Sequence, residues 1–184
     1  GELELTGTNK LTILNSNIGA DMIVNGTLTD RCTTSGGIDF EDNTGTTNDA
    51  TWSLGTAGNI VKTNTSSVNN YRDFYEGGMS TIPATANWYY RYNGDGNPNT
   101  GAVDFFYPNL YFENTANTGN FAWNTFALIL SGTNGFCTVK GDLNIGITGT
   151  GTVTVINNNF NSKAMLIMGG LFVDAGSTLT IECD

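Results

Sequence analysis

Apolar and polar positions alternate along this chain in short bursts, and the bursts repeat. "VNGTLTD" (24–30), "VKGDLNI" (139–145) and "IMGGLFV" (167–173) each place an apolar residue two before a glycine and a leucine two after it. Within "VKGDLNI", Leu143 and Ile145 alternate with Asp142 and Asn144, a period of two that marks a strand with one buried face. The same phrase is legible in "GELEL", in "GNIVK" and in "FYPNLYF", where Pro108 takes the place of the glycine. The anchor residues are then Leu3, Leu28, Ile60, Leu110, Leu143 and Leu171, separated by 25, 32, 50, 33 and 28 residues.

Two further strand phrases complete a unit. "LTIL" (11–14), "ALIL" (127–130), "VTVI" (153–156) and "LTIE" (179–182) align, with Ile129, Val155 and Ile181 each 26 apart. "DMIVNG", "FCTVKG" and "AMLIMGG" lead into the glycine. Self-similarity at this period is the mark of a solenoid, whose units bury their apolar faces only by stacking. The pattern predicts an all-β fold: a right-handed parallel β-helix of about six coils spanning 1–184, with like anchors stacked in interior columns. Glycine and Pro108 would hold the corners, where a tight or left-handed backbone is cheapest. A β-sandwich with chance likeness among short strands is the competing arrangement.

The 50-residue step is too long for one coil, and the excess lies between about 64 and 102. It is predicted to be an aromatic-rich excursion packed on the helix flank. Tyr71, Tyr75, Trp88, Tyr89, Tyr90 and Tyr92 cluster there. Alternation sets Trp88, Tyr90 and Tyr92 on one side and Tyr89 with Arg91 on the other. These aromatics have two uses: a small core anchoring the excursion, with Trp88 outside the main bore, or a platform for sugar rings. In "DGNPNTGAVD", Asp95, Asn97, Asn99 and Asp104 offer oxygens at spacings that suit Ca2+, although Thr100 stands where an EF-hand loop needs glycine. The same stretch is also turn chemistry.

Composition narrows the function classes. Hydrophobic residues make up 39% and charged residues 13%, and Gly, Asn and Thr are abundant, which suits strands joined by turns. With 17 acids against 7 bases the net charge is −10, which disfavours nucleic acid and anionic membrane partners. The absence of histidine removes the commonest general base and metal ligand. No apolar run is long enough to insert in a membrane as a helix. Both ends have the look of cuts, so the piece is expected to belong to a longer chain.

Catalysis has a single foothold. Asp39 and Glu41 in "IDFED" alternate on one strand, as paired carboxylates of a polysaccharide-degrading enzyme would, and as solvated acids also do. Thr152 with Thr154, and Thr178 with Thr180, form a Thr-x-Thr array of two coils, too short for an ice-binding face. No catalytic residue and no cofactor other than the Ca2+ candidate is assigned. Cys32, Cys137 and Cys183 fall on coils too far apart for a disulfide, so three free thiols are expected within the piece, with Cys183 placed to pair beyond residue 184.

"YRDFYEGGMSTIPATANWYYRYNGDGNP", "FYPNLYFEN" and "VKGDLNI" resemble segments of very large surface adhesins of gliding Bacteroidetes, exported by the type IX secretion system. The resemblance runs from about 50 to 184. It implies an extracellular, cell-surface β-solenoid used as a rigid stalk or adhesive module, with no catalytic residues to carry over. It also implies the outer-membrane secretion machinery, glycans or surfaces, and neighbouring segments of the same chain as partners. The alternative is a carbohydrate-binding module or a β-helix enzyme acting on polysaccharide.

Overall fold

The computed structural model describes residues 1–7, 11–15, 22–32, 38–42, 52–63, 79–81, 83–92, 106–114, 136–146, 154–155 and 164–179. All regular structure among them is strand. The first unit holds β1 (Glu2–Gly7), β2 (Leu11–Asn15) and β3 (Met22–Val24), and the second β4 (Thr27–Cys32), β5 (Ile38–Asp42) and β6 (Trp52–Leu54). β7 (Asn59–Lys62) and β8 (Met79–Thr81) follow, then β9 (Asn87–Tyr92) and β10 (Phe106–Tyr107). β11 (Asn109–Asn114) and β12 (Phe136–Val139) belong to the fifth unit. The last units contain β13 (Leu143–Ile145), β14 (Thr154–Val155), β15 (Ala164–Ile167), β16 (Leu171–Val173) and β17 (Thr178–Leu179).

The strands that open successive units form one seven-stranded sheet in the order β1-β4-β7-β9-β11-β13-β16. The strands that lead into the corners form β3-β6-β8 and β10-β12-β15, and the middle strands form the pairs β2-β5 and β14-β17. Every pairing among the described residues is parallel. Parallel neighbours need a long crossover. Here the crossover runs through strands of the other sheets.

Register in the large sheet follows the anchors. Leu3 pairs with Leu28, Leu28 with Ile60, Leu110 with Leu143 and Leu143 with Leu171. Between Ile60 and Leu110 stands Trp88, paired with both. The expected excursion is corrected on this point. Asn87–Tyr92 is a full strand of the sheet, and the step of 50 divides into 28 (Ile60 to Trp88) and 22 (Trp88 to Leu110). There are thus seven rungs where six anchors were read. An indole replaces the leucine, so a pattern keyed to aliphatic residues passes over it, although both fill the same inward position.

The column is the core. Leu28, Ile60, Trp88, Leu110 and Leu143 are buried, while Leu3 and Leu171, on the two edge strands, are each 47% exposed. Two residues along, Tyr90, Phe112 and Ile145 are also fully buried. From the corner sheets, Val24, Leu54, Tyr107 and Val139 complete the apolar interior. Tyr107 meets Trp88 edge-on with ring centroids 5.3 Å apart, and Tyr90 stacks on Phe112 at 5.5 Å. The phenol oxygens of Tyr90 and Tyr107 hydrogen-bond at 2.9 Å, which satisfies both where water is excluded.

A charged pair interrupts this column. Asp30 and Lys62 hold register positions continuous with Tyr90, and Lys62 Nζ donates to Asp30 Oδ2 at 2.5 Å with both side chains 2% exposed. Breaking such a pair strands a buried charge, at about 3–5 kcal/mol.

The corner glycines work by space and not by left-handed backbone. Positive φ occurs at Gly7, Gly146 and Gly176, not at Gly141. At Gly141 a Cβ would run into Asn109 Oδ1 and the Ala84 carbonyl of earlier units. Pro108 serves the equivalent corner, its carbonyl accepting from the Gly141 N–H.

The middle strands need a second correction. Val155 pairs with Leu179 and Thr154 with Thr178, so the offset is 24 and not 26. A slip of two preserves which face each residue occupies, which is why periodicity alone did not detect it. Residues 127–130, 152 and 180–181 lie outside the described residues. Cys32 registers with Gly7 and Cys137 with Met165, in different sheets, and Cys183 lies outside the described residues.

Truncation of Leu143 to Ala is expected to lower unfolding stability by about 2–5 kcal/mol through the cavity it opens. Chemical denaturation checks this, and a loss below about 0.5 kcal/mol would mark the site as a surface position.

Candidate functional site

Alternation gives the large sheet an inward and an outward face, and the outward face carries the polar chemistry. Immediately before the five buried anchors stand Thr27, Asn59, Asn87, Asn109 and Asp142. They form a ladder. Asn87 Nδ2 donates to Asn59 Oδ1 at 2.9 Å, and Asn109 Nδ2 to Asn87 Oδ1 at 3.2 Å. Asn109 Oδ1 then accepts from the Asp142 N–H at 2.8 Å, and Asp142 Oδ1 from the Gly170 N–H at 2.7 Å. Each amide both donates and accepts one rung apart, so the ladder fixes register along the corner. Sequence reasoning missed it. The signal was present as Asn before Ile60, Trp88 and Leu110, but it needs Trp88 to be recognised as an anchor.

The next outward row is Thr29, Val61, Tyr89, Tyr111 and Asn144. Tyr89 and Tyr111 stack with centroids 4.5 Å apart, and the Arg91 guanidinium lies over the Tyr89 ring at 5.4 Å. Arg91 Nε also contacts Glu113 Oε2 at 2.6 Å, and Arg31 Nε contacts Glu4 Oε1 at 2.6 Å, each pair bridging neighbouring strands. Beside this row runs a groove of about 310 Å3, lined by Glu2, Thr29, Arg31, Val61, Thr63 and Arg91 among others.

The expected aromatic site is partly dismantled by this geometry. Trp88 and Tyr90 are fully buried in the core of the large sheet and offer no ring to a ligand. Tyr89 shares the outward face with Arg91, as alternation required, but its ring is engaged by Tyr111 and Arg91. Tyr92 ends β9. Tyr71, Tyr75 and the Ca2+ candidates Asp95, Asn97, Asn99 and Asp104 lie outside the described residues. Asp39 and Glu41 fall on β5, paired with Thr12 and Leu14. Arg31, Thr63 and the groove were not foreseen, because they come together only when four rungs stack.

Both outward phenols are harder to ionise than a free tyrosine. For Tyr89 the main cause is burial, reinforced by Tyr111 and Glu113 and opposed by Arg91. For Tyr111 it is again burial, followed by Asp142 and Glu113.

Comparison with family models, with curated proteins and with solved structures finds no match.

The raised phenol pKa values have a consequence for stability. The folded chain holds these protons more tightly than the unfolded one, so their contribution is complete below about pH 10 and is lost as pH rises through the folded values. The denaturation midpoint is expected to fall above about pH 10, and less so in Tyr89→Phe. An equal fall in the variant would show that Tyr89 does not contribute.

Proposed function

We propose that this chain is a right-handed parallel β-helix serving as a rigid stalk or adhesive module of an extracellular surface protein, without chemistry of its own. The observation that carries the reading is the seven-stranded parallel sheet, whose anchors stay in register from Leu3 to Leu171. Successive parallel strands joined by crossovers through other sheets wind right-handed as a strong rule. Seven rungs at about 4.8 Å give a rod of about 29 Å from this segment. Its stiffness comes from a continuous core in which each rung is held by its two neighbours.

A rod of this kind favours display over turnover. Its ladders repeat one surface chemistry along an axis, so weak contacts add when several are made together. The resemblance to gliding-bacterium adhesins points the same way and supplies cell-surface export. A carbohydrate-binding module is the second reading, favoured by the groove of Thr and Arg side chains on the outward face.

Tandem copies displayed on beads should resist washing from a glycan-coated surface at least about a hundredfold better than the single segment. Equal retention of single and tandem forms would remove the adhesive reading. Release of new reducing ends from a polysaccharide would replace it with an enzymatic one.

A further inference from the structure

We propose that the outward groove binds a neutral, hydroxyl-rich glycan chain lying across the strands, along the long axis of the stacked units. The proposal deepens the adhesive reading and rests on it. The lining residues come from β1, β4, β7 with the adjoining Thr63, and β9. Four rungs at about 4.8 Å give a track of about 14 Å, long enough for a short run of sugar units.

The polar groups are preset in one direction. Thr29 Oγ1 donates to Glu2 Oε1 at 3.0 Å, and Thr63 Oγ1 donates to the Asp30 carbonyl at 3.2 Å. A hydroxyl has one proton, so Thr63, half-buried at the groove, keeps only acceptor lone pairs for a ligand, while Thr29, buried, fixes the Glu2 carboxylate. Glu2 adds a carboxylate acceptor. A sugar hydroxyl supplies the matching donor. A ligand built of anionic oxygens does not.

The arginines supply the opposite polarity. Arg31 and Arg91 are tied through Nε to Glu4 and Glu113, and their side chains remain 57% and 44% exposed. Their forks are therefore held in place at the groove and still reachable, which lowers the ordering cost of binding. Tyr89 acts as a positioning residue under Arg91. Val61, buried between the two arginines' strands, closes the groove floor with an apolar side chain.

Charge decides the ligand class. Two guanidinium groups face Glu2, Glu4 and Glu113, and the chain carries −10 overall. The field around the groove repels polyanions and leaves neutral polyols unaffected.

Affinity electrophoresis of the whole segment through gels containing neutral glucan, neutral mannan, polygalacturonate or dextran sulfate tests this. At least one neutral polymer is expected to retard the protein. Arg31→Ala should weaken that retention roughly tenfold while circular dichroism stays unchanged, since Arg31 and Glu4 are both well exposed. Thr63→Val should weaken it as well. Retardation by the acidic polymers in place of the neutral ones would overturn the ligand class. No retardation by any neutral polymer, or retention untouched by both substitutions, would overturn the site. If tandem copies still hold to surfaces in that case, the adhesive reading survives and only the groove is rejected.

Discussion

The structure depends on one constraint: a rung of this sheet cannot bury its own inward side chain. Leu28, Ile60, Trp88, Leu110 and Leu143 are dry because each is covered by the rung on either side. Leu3 and Leu171, covered on one side of the sheet only, are half-exposed. Stability therefore accrues by adding neighbours, and the energetic unit is the contact between rungs. Parallel register follows from the same requirement. A shift of one residue would turn the inward column to solvent and bring Glu4, Tyr89 and Asn144 inside.

Apolar stacking alone permits slips of two, and polar contacts oppose them. The amide ladder through Asn59, Asn87 and Asn109 links its rungs one by one. Lys62 and Asp30 add a buried charged pair that only one alignment of β4 and β7 brings together. Such pairs contribute little net stability against an apolar substitute, but mispairing them is expensive. The outward face inherits its order from this. Arg31, Thr63 and Arg91 are far apart in the chain and share one groove because the core holds their strands in register.

Much of this was legible in the chain. The alternation around each glycine yields the opening strands, and "FCTVKG" and "AMLIMGG" yield β12 and β15. Both signals depend on aliphatic residues at fixed distance from a turn, and both survive in the fold. Trp88 escapes the pattern because an aromatic-rich stretch with no glycine before its anchor resembles an insertion. Its corner is built from Ala86 and Asn87 in place of glycine. The register of β14 with β17 is not legible in the chain because threonine-rich alternation fits equally well at 24 or 26 residues. The groove was illegible for a different reason. It has no local motif, only side chains from four rungs that stacking brings together.

The seven-rung sheet requires β9 to lie between β7 and β11. Paired cysteines introduced as Asn59→Cys and Asn87→Cys, with Cys32, Cys137 and Cys183 replaced by serine, test that placement directly. Register partners on adjacent strands fall within the Cα separation a disulfide accepts, up to about 6.8 Å. Mild oxidation should close this bridge within the monomer, as read by intact mass and peptide mapping. The same protein carrying Asn59→Cys and Asn109→Cys, two rungs apart, should stay reduced. The reverse pattern, with Asn59 and Asn109 bridged and Asn87 left free, would return 64–102 to the flank and contradict the seven-rung sheet.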